Sequence, residues 1–121
     1  MKISHHCNSF ISVNVNSTTL VCDPWAGVAN DNAWLSYPLF KTSKHFFDQI
    51  KPNYIYISHL HCDHLDPKTL KNCNKNTKIL IKKFKDERLK KKIINLGFKK
   101  IIECDSWKKY KINKDLTIAI I

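Results

Sequence analysis

Apolar and polar positions alternate along this chain in short blocks, most of them with the two-residue period of strands. Ile3 to His6 opens the first. Phe10-Ile11-Ser12-Val13-Asn14-Val15 alternates in part, meets the turn-forming Asn16-Ser17 and continues into Thr18 to Cys22, which predicts a β-hairpin. Asp23-Pro24-Trp25 ends the second strand of that hairpin, because proline has no N–H to give a central ladder. Residues 26–40 lack a period and carry Trp34, Tyr37 and Phe40, as a lid or binding-site wall does, or a cover over the core edge. His45 to Ile50 reads as a short helix with His45 facing solvent, and Lys51-Pro52-Asn53 turns the chain into Tyr54-Ile55-Tyr56-Ile57-Ser58, the composition of a buried strand. Asp66-Pro67 is a helix start that predicts a short helix to about Asn74, followed by a strand at Lys78 to Ile81. Asp86 to Leu96 carries the clearest helical repeat: Leu89, Ile93 and Leu96 share a face, Asp86 can cap the start and Gly97 supplies the stop. Phe98 to Glu103, Trp107 to Ile112 and Leu116 to Ile121 read as further strands. Strands that alternate with helices in this way predict an α/β fold.

The chemistry concentrates between the buried strand and the helix start. His59-Leu60-His61-Cys62-Asp63-His64 places three imidazoles and a carboxylate within six residues, on the kind of loop where α/β proteins put their sites. On an extended backbone residues two apart point the same way, so His59 and His61 can grip one ion together. Asp63 and His64 follow where a turning chain can aim them at a second. Imidazole nitrogen with carboxylate oxygen suits zinc, and also manganese or iron. Two such ions about 3.5–4 Å apart can share a hydroxide and steady an oxyanion. The bland reading is a closed structural zinc site, but those generally enlist C-x-x-C pairs, and the chain has none. Of the other histidines, His5 and His6 read as a surface pair, with approach of one of them to the metal pocket as the alternative.

The run Ser58-His59-Leu60-His61-Cys62-Asp63-His64-Leu65 resembles the H-x-H-x-D-H signature of the metallo-β-lactamase-fold hydrolases. Leu20-Val21-Cys22-Asp23-Pro24-Trp25 resembles the strand-then-Asp-Pro-Trp segment of one branch, which holds CMP-N-acetylneuraminate hydroxylase, the ascorbate-6-phosphate lactonase-like proteins and N-acyl-phosphatidylethanolamine phospholipase D. The resemblance implies the following roles. His59 and His61 would hold the first metal, and Asp63 and His64 the second. Asp63 would also orient the attacking water, and Asp23 would lie near the pocket rim. The cofactor would be a divalent metal, two ions, with zinc first and manganese or iron as alternatives. The family's later ligands, a distal His, a bridging Asp and a last His, have no counterpart: all six histidines lie in the first 64 residues. The family's αββα sandwich also typically needs about 200 residues or more. The expected fold is therefore the N-terminal half of a metallo-β-lactamase-like αββα sandwich, with residues 1–121 forming one partial domain. The strand-like run that stops at Ile121 agrees with missing sequence. A half-sandwich exposes the sheet face meant for its other half, and a dimer through that face is expected.

Composition narrows the remaining classes. A chain of 121 residues with 43% hydrophobic content can bury one modest core without disulfide staples, although two glycines are few for a complete enzyme of this kind. Five cysteines without a pairing rhythm and no signal peptide point to a reducing cytoplasm. No apolar run approaches a membrane span. The net charge of +11 is local: 14 of the 21 Lys and Arg residues lie between Lys78 and Lys114, opposed there by four acids. These lysines are interrupted by apolar residues, without the basic motifs and stacking aromatics of a nucleic-acid module. They read as a solvated surface that can also attract an anionic small-molecule substrate, and no specific nucleic acid is expected.

Three functions follow as expectations. The first is a metal-dependent hydrolase, or a fragment of one, using metal-bound hydroxide on a phosphodiester, lactone or amide bond of an anionic sugar or nucleotide-type substrate. The second is a non-catalytic metal-binding remnant. The third is a sugar-nucleotide hydroxylase-like protein without a Rieske centre: that centre needs C-x-H and C-x-x-H pairs, and only Cys62-Asp63-His64 matches the former.

Overall fold

A computed structural model describes all of residues 1–121. Its chain order is β1 (Lys2–Cys7), β2 (Phe10–Val15), β3 (Thr18–Cys22), β4 (Val28–Ala29), β5 (Trp34–Leu35), α1 (Lys44–Ile50), β6 (Tyr54–Ile57), α2 (Pro67–Leu70), β7 (Lys78–Lys82), α3 (Arg88–Asn95), β8 (Ile101–Cys104), β9 (Lys109–Lys111) and β10 (Thr117–Ala119). Six strands form one mixed sheet in the order β1-β2-β3-β6-β7-β8. The meander β1-β2-β3 is antiparallel, and β3, β6, β7 and β8 run parallel. Each parallel connection carries a helix, α1, α2 and α3 in turn. This is the predicted α/β class.

The two-residue period of the strands divides the apolar residues between two cores. Val21, Ile55 and Ile79 lie side by side in register. With Ile57 and Ile81 they face the helices and meet Phe47, Leu70, Leu89 and Ile93. Each such fully buried side chain contributes about 1.5–3 kcal/mol from transfer alone. The alternate residues Leu20 and Leu80 point to the opposite face. There the antiparallel pair β9 and β10 lies over the sheet, with Ile118 and Ile120 in the same cluster as Leu20, Leu80 and Cys104. The face expected to be bare for dimerisation is thus partly covered by the chain's own last hairpin.

Local chemistry explains the element ends. In α1, the Ser43 hydroxyl accepts the Phe46 N–H, and Lys51 in the left-handed region closes the helix before Pro52. α2 is shorter than its pattern predicted, because i-to-i+3 bonds from Asn72 to Thr69 and from Cys73 to Leu70 tighten the chain out of the helix after one turn. In α3, Asp86 accepts the Arg88 N–H from just ahead of the helix, while the N-cap Glu87 makes no side-chain bond. Gly97 at φ +91° ends the helix in a conformation that suits glycine. Phe98 belongs to the helix-side core rather than to a strand, so β8 begins three residues later than predicted. In the irregular stretch, β4 and β5 form a small hairpin through Asn30, Asp31 and Asn32, all at positive φ. Trp34 and Tyr37 point outward and Phe40 packs against the core.

His45 and His5 are exposed as expected, whereas His6 is half-buried. Its ring sits among Phe10, Phe40 and Phe46, at 4.6, 5.4 and 5.3 Å between ring centres, and its Nε2 lies 2.9 Å from Ser12 Oγ. This aromatic group pins α1 and the preceding loop to the first hairpin. Burial, with a smaller contribution from His5, holds the His6 imidazole below its ordinary value. A histidine with a depressed folded-state pKa is protonated more readily when unfolded, so stability falls as pH drops through the ordinary value near 6.5 and levels off below the folded-state value. His6→Phe should keep the packing and remove that dependence. Thermal unfolding between pH 7.5 and 5 should show a smaller loss of Tm in the variant than in the wild type, and equal losses would contradict it.

Candidate metal centre

The parallel pairing of β3 with β6 brings two strand ends together, because Cys22 pairs with Tyr56 and the next residue, Asp23, donates its N–H to the Tyr56 carbonyl at 2.9 Å. Asp23 and Ser58 therefore leave adjacent strands side by side, at the carboxyl edge where α/β sheets place ligands. Asp23 takes a left-handed φ of 41°, a conformation that aspartate tolerates better than most residues and that marks strained functional positions. The histidine loop is then closed by its own turn: the N–H groups of His64 and Leu65 both donate to the His61 carbonyl, at 3.0 and 2.8 Å. Fully buried Leu65 anchors it, and Asp66 caps α2 by accepting the N–H groups of Lys68 and Thr69.

Asp23 was expected at a pocket rim and lies instead beneath the histidines, 8% exposed, with both carboxylate oxygens engaged. Oδ1 accepts the Ser58 N–H at 2.7 Å, and Oδ2 accepts the Ser58 hydroxyl at 2.7 Å. His64 Nδ1 lies 2.9 Å from the same Oδ2. Ser58 Oγ is also 2.8 Å from His59 Nδ1. One proton arrangement satisfies all four contacts. His64 Nδ1–H donates to Asp23, Ser58 donates to Asp23, and His59 Nδ1–H donates to Ser58. Both histidines are then fixed as the tautomer with a lone pair on Nε2, the form a metal requires.

The four residues singled out in the sequence do come together. His59 Nε2 and His61 Nδ1 are 2.9 Å apart, and the rings of His59 and His64 are 4.1 Å apart at their centres. His64 Nε2 faces Asp63 Oδ2 at 3.6 Å. His59 and His61 are hydrogen-bonded to each other, and no three His, Cys, Asp or Glu groups converge on one coordination point. Tetrahedral zinc with nitrogen ligands at 2.0–2.1 Å would hold two of them about 3.3 Å apart, so a small opening of the His59–His61 pair suffices. Asp63 Oδ1 is buried without a hydrogen-bond partner, an orphaned acceptor that a cation would satisfy. The donor types, imidazole nitrogen and carboxylate oxygen, are those a divalent metal takes, while no three of them converge in this structure.

Electrostatics agree. Burial lowers the His59 pKa, and the like charges of His64 and His61 add to it, against the opposing pull of Asp23 and Asp63. The shift favours the neutral form of the ring. Cys22, beside Asp23, is pushed up to about 12, first by burial and then by that carboxylate, so its thiol stays protonated and inert at neutral pH.

Two participants were not identified from the sequence. Ser58 stood within the quoted motif, and its position next to His59 was the available signal. Ser9 had none: its hydroxyl donates to the Asp63 carbonyl at 2.9 Å, tying the β1–β2 turn to the histidine loop across 54 positions.

No protein-family model matches the chain. The whole chain aligns with curated proteins described as "Putative Rieske 2Fe-2S iron-sulfur protein", at 31% identity over 126 residues in Mycolicibacterium smegmatis and 28% over 125 residues in Mycobacterium tuberculosis. It spans 24% of the length of those relatives. Among solved structures it resembles isothiocyanate hydrolase from Delia radicum gut bacteria, with TM-score 0.68 and 19% identity over 97% of this chain and 45% of that one. A "possible metal-dependent hydrolase" from Veillonella parvula gives TM-score 0.65 and 18% identity over 89% of this chain and 43% of that one. CmlA, a diiron β-hydroxylase from Streptomyces venezuelae, gives TM-score 0.63 and 20% identity over 88% of this chain and 21% of that one. At these identities the likeness speaks for the fold alone, and the fold is metallo-β-lactamase-like.

Proposed function

We propose that residues 1–121 form the metal-binding half of a metal-dependent hydrolase that opens a phosphodiester, lactone or amide bond. The observation that carries this reading is the shared tether of His59 and His64 to Asp23, which turns Nε2 of His59 toward His61 and Nε2 of His64 toward Asp63. His59, His61, Asp63 and His64 are assigned as metal ligands. When bound, a divalent metal supplies Lewis-acid polarisation and a water-derived nucleophile at neutral pH. The chain's own residues do the rest. Asp23 and Ser58 hold the imidazoles in the right tautomer. Asp63, whose Oδ2 faces His64 Nε2 at 3.6 Å, orients the attacking water and accepts its proton. The Asp23-Pro24-Trp25 segment supports the hydroxylase- and lactonase-like branch.

A second reading, an oxygen-activating iron protein, is favoured by the description of the curated relatives and by the likeness to CmlA. In that reading iron takes the same His and Asp ligands. A [2Fe–2S] cluster of Rieske type would need a C-x-x-H pair, which these 121 residues do not contain, so its ligands would lie elsewhere.

Metal analysis of the purified protein should find at least one zinc, manganese or iron ion per chain, and His61→Ala should reduce the content at least about tenfold. Zinc or manganese with hydrolytic turnover supports the first reading, whereas redox-active iron supports the second. Metal without turnover would leave a binding remnant, and metal at background level would overturn all three.

Asp23→Asn tests the tether separately. The amide keeps the size of the side chain but cannot accept from Ser58 and His64 as the carboxylate does. Metal affinity, read by competition with a chromophoric chelator, should fall about 10–100-fold. Unchanged affinity would remove Asp23 from the site.

A further inference from the structure

The loop that leaves β7 emerges beside the histidine cluster, because β7 pairs in parallel with β6 and Ile81 lies opposite Ile57. Between that loop and the cluster is a cavity of about 210 Å³ with His59 and His61 on one side. Leu60, Phe84 and Leu89 supply its apolar wall. Leu89 is buried in the helix-side core, whereas Phe84 is 39% exposed and presents its ring between two lysines in sequence. The rim is polar but already satisfied: Arg88 donates Nε and Nη2 to the two oxygens of Asp86, at 3.2 and 3.1 Å, and its backbone N–H to the same carboxylate at 3.1 Å.

That lining has a clear preference. The Arg88 cation is already paired with Asp86, and that carboxylate would repel an anionic group. An aryl or alkyl group, by contrast, removes apolar surface of Phe84, Leu60 and Leu89 from water. The volume is ample, since a cavity of about 150 Å³ accommodates a benzene ring. Resting on the metal-dependent reading above, we propose that this cavity receives an uncharged aryl or short alkyl arm of the substrate, whose reacting group sits at the histidine cluster. Phe84 is then a specificity-determining residue. The chain's positive charge acts on approach, and the pocket itself selects an apolar group.

Three metal-binding hydroxamates that differ only in their arm test this on the zinc-loaded protein by isothermal titration: acetohydroxamate, benzohydroxamate and the monohydroxamate of succinate. The phenyl arm should bind at least about tenfold more tightly than methyl, and the carboxylate arm no more tightly than methyl. Phe84→Ala should bring phenyl to within about threefold of methyl while leaving the methyl compound unchanged. Equal binding of phenyl and methyl, tightest binding of the carboxylate, a phenyl preference that survives Phe84→Ala, or no hydroxamate binding to zinc-loaded protein would each overturn the inference. Failure to take up zinc at all is seen before any hydroxamate is added, and it overturns the metal-dependent reading and this inference with it.

Discussion

The site depends on one carboxylate. Asp23 holds the N–H and the hydroxyl of Ser58 and the Nδ1 of His64, and through Ser58 it reaches His59. A buried carboxylate is costly unless its lone pairs are used, and here neither oxygen is left over. The cost of burial therefore becomes a constraint: any movement of the β6 end relative to the β3 end breaks charge-assisted bonds that water could not fully replace in so enclosed a position. Histidine orientation and strand-end geometry are thus set by the same bonds.

This constraint works only because of the sheet beneath it. Asp23 and Ser58 meet because β3 and β6 are parallel neighbours in a fixed register, with Leu20 opposite Tyr54 and Cys22 opposite Tyr56. The register is held by the two-faced packing. A slip of one residue would turn Val21 and Ile55 away from the helices and bring Leu20 and Tyr54 toward them, emptying one core and overfilling the other. Below the histidine loop, Leu65 and the capped start of α2 fix where the chain must go next, and from the other side Ser9 holds the Asp63 carbonyl. The loop is short and tied at both ends, which suits ligands that must already be aimed.

How far the sequence discloses this follows from the range of each interaction. The hairpin β2–β3, the strand β6 and the helix α3 were legible because their signals are local: alternation, a turn pair, a helical repeat with a glycine stop. The grouping of His59 to His64 was legible because its residues are contiguous. What was not legible is what the fold brings from a distance. Asp23 could be singled out beside its proline and tryptophan, but its descent beneath the histidines depends on β3 lying next to β6. Ser9 lies 54 residues from the carbonyl it holds, and nothing in its neighbourhood marks it. His6 was misread for the same reason: the rings that bury it come from β2, the loop before α1 and α1 itself.

One consequence of the shared tether concerns how such a site could change its metal. Nitrogen and oxygen donors at strand ends accept zinc, manganese or iron with little distinction, so selection falls to the groups behind the ligands. In this chain those groups are few. Asp23 acts on His64 directly and on His59 through a hydroxyl, so the two rings experience different donor strengths from the same carboxylate. His64 Nδ1 meets the carboxylate itself, whereas His59 Nδ1 meets the Ser58 hydroxyl, and burial with its like-charged neighbours lowers the His59 pKa. The asymmetry is built into the order Ser58-His59 along the chain, since only the residue directly before His59 can stand between it and the neighbouring strand. A replacement at Ser58 would take the partner from His59 Nδ1 and also remove the contact of its hydroxyl with His64 Nδ1 at 3.2 Å. The unequal tethers of the two rings are a property of this strand end itself.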